Sequence, residues 1–178
     1  MAKLHDKKVA LLVYDLFEQV EFTEPRKALE EAGAEVDVIT AHSGEELQGL
    51  HHIEKGDTFK ADLSVEEIEA DEYDAVVIPG GVVNADRLRM SEAARQFVQQ
   101  MNAAGKPIAA ICHGPWLLVS AGLAKGHQFT SYATLQDDIR NAGGHWADEK
   151  VVVDGNLITS RKPDDLDAFN EAIIAALT

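Results

Sequence analysis

The only cysteine in this sequence stands in a context suited to covalent chemistry. Cys112 follows the short apolar run 108–111 and precedes His113, Gly114 and Pro115, after which a helical pattern begins. A strand that ends in a reactive residue and turns sharply into a helix is the layout of a nucleophile elbow. The helix N-terminus and free amides beside the sulfur would favour a thiolate. A lone cysteine is more often inert packing, but this context favours catalysis or redox sensing.

Two glycines follow another apolar run and could place main-chain amides beside that cysteine. Gly80 and Gly81 come after Pro79, and without side chains they let the backbone approach a ligand closely. With the nucleophile elbow, the amides of Gly81 and His113 would form an oxyanion hole for carbonyl or acyl addition. The alternative is that the two glycines only form a tight turn.

Acidic residues are concentrated in the loop after the first predicted strand. Asp15, Glu18 and Glu21 lie there, and Glu21 opens a helix at the same edge of the sheet. A protonated carboxyl would donate a hydrogen bond to the Cys112 sulfur and lower its pKa, whereas an ionised one would raise it. A carboxylate that merely complements the helix dipole is the competing interpretation.

Other chemistry has weaker support in the sequence. His113 directly follows Cys112, so the two side chains could diverge, and His113 could equally brace the elbow. His51 and His52 are neighbours in a polar stretch, and no spacing matches a metal-ligand set, so no metal is expected. The acidic segment 14–18 has no glycine or hydroxyl cradle for a flavin phosphate, so no cofactor is expected either.

Composition limits the class of protein. A chain of 178 residues with 46% hydrophobic content suits one well-buried core, so a single domain over 1–178 is expected. Sixteen basic against 31 acidic residues give a formal charge of −15, which disfavours nucleic acid and anionic membranes as partners. A polar N-terminus without a long apolar run and one unpaired cysteine predict a cytoplasmic location.

The hydrophobic pattern alternates between strands and helices. Strands are predicted over 8–14, 35–40, 75–78, 108–111, 128–132, 151–153 and 157–159, and helices over 25–32, 91–104, 116–121, 135–142 and 163–177. The stretch 43–62 predicts a small hairpin or an excursion at the edge of the sheet. This alternation predicts a mainly parallel sheet with helices on both faces, in which ligands lie beyond the carboxyl ends of the strands.

Three motifs together resemble the PfpI family, the intracellular cysteine protease branch of a superfamily that also holds the Parkinson-disease-associated deglycases and class I glutamine amidotransferase domains. They are the Pro-Gly-Gly turn at 77–81, the Cys-His-Gly-Pro elbow at 110–115 and the segment 152–161. The resemblance runs nearly end to end. It implies an α/β flavodoxin-like three-layer sandwich that forms a homodimer or a larger homo-oligomer.

The resemblance also implies roles for individual residues. Cys112 matches the family nucleophile, His113 the adjacent histidine and Glu21 the buried acid that contacts the sulfur. Glu18 falls on another acidic position near the site. Tyr132 falls where relatives line the pocket.

In the protease branch, a carboxylate from a neighbouring subunit completes a catalytic triad. Asp86 is the nearest acid to that position, offset by one apparent insertion.

Several activities are compatible with these residues. The resemblance implies a stress-response enzyme, either a peptidase or a cofactor-free glyoxalase or deglycase that acts on reactive carbonyls, peptides or glycated proteins. The non-enzymatic alternative is a redox sensor or chaperone that works through oxidation of Cys112. A glutaminase would need a His-x-Glu partner near the C-terminus, where 161–164 reads Arg-Lys-Pro-Asp instead.

Overall fold

Twelve strands and six α-helices make up the fold in a computed structural model that describes residues 3–178. The strands are β1 (Lys8–Val13), β2 (Phe17–Glu18), β3 (Glu35–Thr40), β4 (Glu46–His51), β5 (Glu54–Lys60), β6 (Leu63–Ser64), β7 (Ala75–Ile78), β8 (Ile108–Ile111), β9 (Gln128–Phe129), β10 (His145–Trp146), β11 (Val151–Asp154) and β12 (Leu157–Ser160). The helices are α1 (Gln19–Glu31), α2 (Val82–Leu88), α3 (Glu92–Ala103), α4 (Pro115–Ser120), α5 (Gln136–Asn141) and α6 (Leu166–Leu177).

Seven strands form the central sheet in the order β11-β12-β8-β7-β1-β3-β6. All neighbours are parallel except the edge pair β11 and β12. The middle strands β7 and β8 are apolar and buried along their whole length, as expected where helices cover both faces of a parallel sheet. Because β1, β7 and β8 are adjacent, the three loops at their carboxyl ends meet at one edge.

Successive strand residues point to opposite faces, so the sheet divides the core in two. On one face, Ile108 and Ala110 pack with apolar residues of α2, α3, α4 and α5. On the other, Ala109 and Ile111 pack with apolar residues of α1 and α6. This confirms the predicted three-layer α/β sandwich. Within residues 3–178, no helix is both long and apolar enough to cross a bilayer.

Some predicted elements differ in extent. Helix α1 begins at Gln19 rather than at Pro25, which lies inside the helix. The sequence does not predict the seven-residue helix α2, because its apolar pattern is too short to be distinctive. The strand predicted over 128–132 is reduced to β9, which pairs with β10 outside the central sheet. The predicted hairpin is present as β4 and β5, and β2 pairs with it.

Candidate active site

Cys112 occupies a strained backbone conformation between β8 and α4. Its φ of 63° lies in the left-handed region, which a residue with a side chain rarely adopts. Main-chain hydrogen bonds hold it there: its N–H donates to the Ser160 carbonyl at 3.0 Å, and its carbonyl accepts the N–H of Tyr132 at 2.8 Å. Gly114 is required because a Cβ there would lie 2.7 Å from the Ile78 carbonyl oxygen. The backbone therefore has the predicted form of an elbow.

Cys112 lines a pocket of about 230 Å³, and the residue itself is 8% exposed. The pocket is lined by Glu18, Glu21, His52, Ile53, Gly81, Val82, Cys112, His113, Tyr132, Lys162 and Pro163. It is formed where the loops after β1, β7, β8 and β12 meet the turn between β4 and β5. Sulfur, carboxyl, imidazole and main-chain amide groups thus converge at the carboxyl edge of the sheet.

Glu21 is fully buried in the first turn of α1. Its Oε1 accepts the N–H of Gly80 at 3.0 Å, whereas its buried Oε2 has no hydrogen-bond partner. Burial and, to a smaller extent, the charge of Glu18 raise the pKa of Glu21 to about 8, although the Gly80 N–H and Cys112 oppose the shift. Glu21 is therefore mainly protonated at neutral pH and can donate a proton.

The resting Cys112 thiol differs from the expectation of a stabilised thiolate. Burial raises its pKa, and the charge of an ionised Glu21 raises it further. The N–H groups of Gly81 and His113 act on the sulfur in the opposite direction, but they do not outweigh burial. The elbow thus supplies the expected amides, while the pocket that surrounds the sulfur favours the neutral thiol at rest.

His113 contacts Cys112 despite being its chain neighbour. The Cys112 Sγ lies 3.2 Å from His113 Nδ1, so the two side chains do not diverge. The imidazole packs against the rings of Tyr132 and Trp116, with centroid distances of 4.9 and 5.3 Å. Burial lowers the pKa of His113, which keeps the ring neutral at pH 7. A neutral ring at this distance can accept the thiol proton.

The structure brings most of the remaining candidates to the same pocket. Glu18 lines it and accepts the N–H of His52 at 3.1 Å, which ties the turn between β4 and β5 to the pocket wall. Gly80 lies between Glu21 and Cys112, and Gly81 lines the pocket with a φ of 90°.

Asp86 is the exception. This residue of α2 lies in a separate depression with Arg89, Met90, Arg95 and Ser120, outside the pocket of its own chain.

Some residues of the site carried no signal recognised in the sequence. Asn84 is fully buried and joins two of the converging loops: its Oδ1 accepts the Tyr14 N–H at 2.7 Å, and its Nδ2 donates to the carbonyls of Pro79 and Gly80. In the sequence, only the position of Asn84 shortly after the Pro-Gly-Gly turn indicates that it belongs to the site. Lys162 and Ile53 reach the pocket from distant segments, which no local pattern predicts.

No group of three or more His, Cys, Asp or Glu side chains within residues 3–178 has a metal-binding arrangement.

Relatives of similar sequence span nearly the whole chain. The "Deglycase PfpI" of Pyrococcus furiosus is 42% identical over 170 residues, covering 96% of this chain and 99% of its own. The "Putative cysteine protease YraA" of Bacillus subtilis is 43% identical over 164 residues, covering 92% and 94%. The names of these relatives indicate enzymes, but of two different reactions.

Solved structures give the same fold. A two-domain protein from Anabaena variabilis with DJ-1/ThiJ/PfpI-like and ferritin-like domains superposes with a TM-score of 0.90 at 42% identity, over 96% of this chain and 48% of that one. Schizosaccharomyces pombe DJ-1 superposes with a TM-score of 0.87 at 26% identity, over 96% and 92%. The sequence pattern of the DJ-1/PfpI family matches residues 7–176. By sequence and by fold, this chain belongs to the DJ-1/PfpI family.

Proposed function

We propose that this protein is a cysteine-dependent glyoxalase or deglycase that acts on small reactive carbonyls and on the adducts they form with amines and proteins. One observation carries the proposal: Cys112 lines a pocket of about 230 Å³ together with Glu21, whose pKa is raised by burial, and with Gly81 and His113, whose main-chain N–H groups act on the sulfur. A pocket of this size suits a small dicarbonyl such as methylglyoxal better than an extended peptide.

The first step is addition of Cys112 to the aldehyde carbon. The S–H bond breaks, its proton passes to His113 Nδ1, and the sulfur electron pair forms the C–S bond. The carbonyl oxygen becomes an alkoxide, which the N–H groups of Gly81 and His113 stabilise, and a proton from Glu21 neutralises it. The product of this step is a hemithioacetal on Cys112.

The second step is an internal rearrangement followed by hydrolysis. A base, the Glu21 carboxylate left by the first step or a water it activates, removes the proton from the carbon attached to sulfur. That electron pair forms a C=C bond to the neighbouring carbonyl carbon, and the C=O π pair moves onto the oxygen, which takes the proton held by His113 to give an enediol. Reprotonation at the neighbouring carbon, with loss of the proton from the hydroxyl on the sulfur-bearing carbon, gives a lactoyl thioester. Water then cleaves the C–S bond, which releases lactate and the thiol. No external oxidant or reductant is required, because one carbon is oxidised as its neighbour is reduced.

The decisive experiment measures lactate formation from methylglyoxal by wild type and Cys112→Ser, with cleavage of a labelled protein substrate followed in parallel. We expect lactate from wild type only. Equal activity of the two proteins would disprove the nucleophilic role of Cys112. Cysteine-dependent peptide cleavage without lactate formation would assign the peptidase activity instead.

The second candidate function is oxidation sensing through Cys112. The Oε2 atom of Glu21 is buried without a hydrogen-bond partner, which favours this function. If Oε2 carries the proton of Glu21, it can donate a hydrogen bond to a sulfinate oxygen on Cys112. Mass spectrometry after mild peroxide treatment, compared with the rate of lactate formation, separates the two functions. Clean sulfinate formation with negligible turnover would favour the sensor. Rapid turnover would favour the enzyme.

We further propose that the protein works in the cytoplasm as a homodimer or a larger homo-oligomer. A single unpaired cysteine suits a reducing compartment. An assembly could bring a carboxylate of a second copy, with Asp86 as the candidate, to the His113 side of the pocket. Size-exclusion chromatography with light scattering measures the assembly, and Asp86→Asn tests the carboxylate.

A further inference from the structure

The imidazole of His113 has a polar neighbour at each ring nitrogen. Nδ1 faces the Cys112 Sγ at 3.2 Å, and Nε2, on the other side of the ring, lies 3.5 Å from the Thr134 hydroxyl oxygen. The packing of Tyr132 and Trp116 against the ring keeps it from rotating away. Thr134 is therefore the hydroxyl that the structure places at the outer nitrogen of the candidate base.

Thr134 is attached to the elbow itself. It lies in a single 3-10 turn, Ala133–Leu135, which begins directly after Tyr132. The N–H of Tyr132 donates to the Cys112 carbonyl at 2.8 Å, and the N–H of Leu135 donates to the Tyr132 carbonyl at 3.0 Å. The backbone that carries the hydroxyl is thus hydrogen-bonded to the residue that carries the sulfur, so the two ends of the imidazole are positioned together.

We propose that Thr134 is a positioning residue that selects the reactive tautomer of His113. When Thr134 Oγ1 accepts the N–H of Nε2, the single proton of the neutral ring stays on Nε2. The lone pair of Nδ1 then faces the thiol. This arrangement gives the chain its own means of orienting the histidine, independent of a carboxylate from another subunit.

The hydroxyl keeps this role as the proton moves. When the S–H bond breaks and its proton passes to Nδ1, the ring becomes an imidazolium that still donates from Nε2 to Thr134 Oγ1. No proton leaves the site, and the sulfur electron pair is free to attack a carbonyl carbon. The consequence for turnover rests on the proposed function, whereas the tautomer and the thiol reactivity do not require it.

The test compares Thr134→Val, which keeps the branched shape but removes the hydroxyl, with Thr134→Ser, which keeps the hydroxyl. Three readouts are used: ¹⁵N chemical shifts of the His113 ring, the rate of Cys112 alkylation by iodoacetamide at pH 7, and kcat and KM for methylglyoxal. Circular dichroism confirms that each variant is folded. The shifts and the alkylation rate remain informative if methylglyoxal is not a substrate.

In wild type and Thr134→Ser we expect a proton on Nε2 and none on Nδ1. In Thr134→Val we expect a mixture of the two His113 tautomers. The alkylation rate and kcat should both fall by about tenfold, as the loss of one hydrogen bond implies, while KM should change little. Wild-type shifts and an unchanged alkylation rate in Thr134→Val would overturn the proposal. So would an equal loss of alkylation in the Val and Ser variants, because the hydroxyl would then not be the cause.

Discussion

The carboxyl of Glu21 and the thiol of Cys112 occupy the same buried corner, with Gly80 packed between their side chains. Glu21 reaches this corner from the first turn of α1, and Cys112 from the end of β8. Each group affects the ionisation of the other: Cys112 lowers the pKa of Glu21, and the charge of Glu21 raises the pKa of Cys112. Reactivity of the sulfur therefore depends on the protonation of a residue 91 positions earlier in the chain.

The first prediction concerns the pH dependence of stability. The pKa of Glu21 is raised from 4.5 to about 8 in the folded protein, so between these values the folded state holds a proton that the unfolded state has released. Stability from this group is complete below the lower pKa and is lost as pH rises towards 8. The expected maximum slope is about 1.4 kcal/mol per pH unit.

Urea denaturation of wild type and Glu21→Gln at pH 5, 6.5 and 8 measures this effect. The variant cannot ionise at this position, so its free energy of unfolding should fall less with pH than that of wild type. Parallel curves for the two proteins would contradict the raised pKa of Glu21.

The second prediction concerns thiol reactivity. Because the charge of Glu21 raises the pKa of Cys112, Glu21→Gln should raise the rate of Cys112 alkylation at pH 9, where Glu21 is mainly ionised, by about tenfold. The iodoacetamide rate of each protein is measured at pH 6 and at pH 9. Glu18→Gln is the matched control, because Glu18 lines the same pocket without bonding to the Gly80 N–H, and it should change the rate at pH 9 less. Equal rates for wild type and Glu21→Gln at pH 9 would rule out the electrostatic coupling.

The third prediction tests the close packing at Gly80. A Cβ at this position would lie 2.5 Å from Glu21 Oε1 and 2.7 Å from Cys112 Cβ. Gly80→Ala should therefore lower the free energy of unfolding by about 3 kcal/mol and displace both groups, with loss of activity.

Gly122→Ala is the control for that change. Gly122 has a φ of 78° but no atom within 4 Å of its added Cβ, so only backbone strain of about 1 kcal/mol is expected. If both variants lost the same stability and both kept activity, the steric argument at Gly80 would fail.

The fourth prediction concerns Asn84. Replacing it by alanine removes hydrogen bonds to three main-chain groups, the Tyr14 N–H and the carbonyls of Pro79 and Gly80. We expect a loss of about 3 kcal/mol in the free energy of unfolding, together with lower activity because the turn that carries Gly81 loses its support. Thermal and urea denaturation measure the loss.

Asn141→Ala, at the exposed end of α5, is the matched control and should change stability by less than about 0.5 kcal/mol. A loss at position 84 no larger than at position 141 would contradict the bridging role of Asn84.

Local signals were sufficient for much of the fold. The apolar runs that became β7 and β8 end at Pro79 and Cys112, so both the strands and the loops after them could be located in the sequence. The sequence predicts too late a start for helix α1 because Pro25 resembles a helix start, whereas the helix extends before Pro25 so that Phe22 and Leu29 both pack in the core. The sequence predicts too long a strand at β9, because pairing with a neighbouring strand decides where a strand ends.

The elbow, the Pro-Gly-Gly turn and the alternation that requires a parallel sheet can be predicted from residue order, because each depends on neighbours in the chain. The protonation of Glu21, the raised pKa of Cys112 and the contact of Thr134 with His113 follow from the folded arrangement. Those properties depend on burial and on distances between segments far apart in sequence, and neither is encoded by residue type or spacing alone. Asp86 shows the same difference between residue type and folded position. Its carboxyl group suits a catalytic triad, but the fold places it outside the pocket of its own chain.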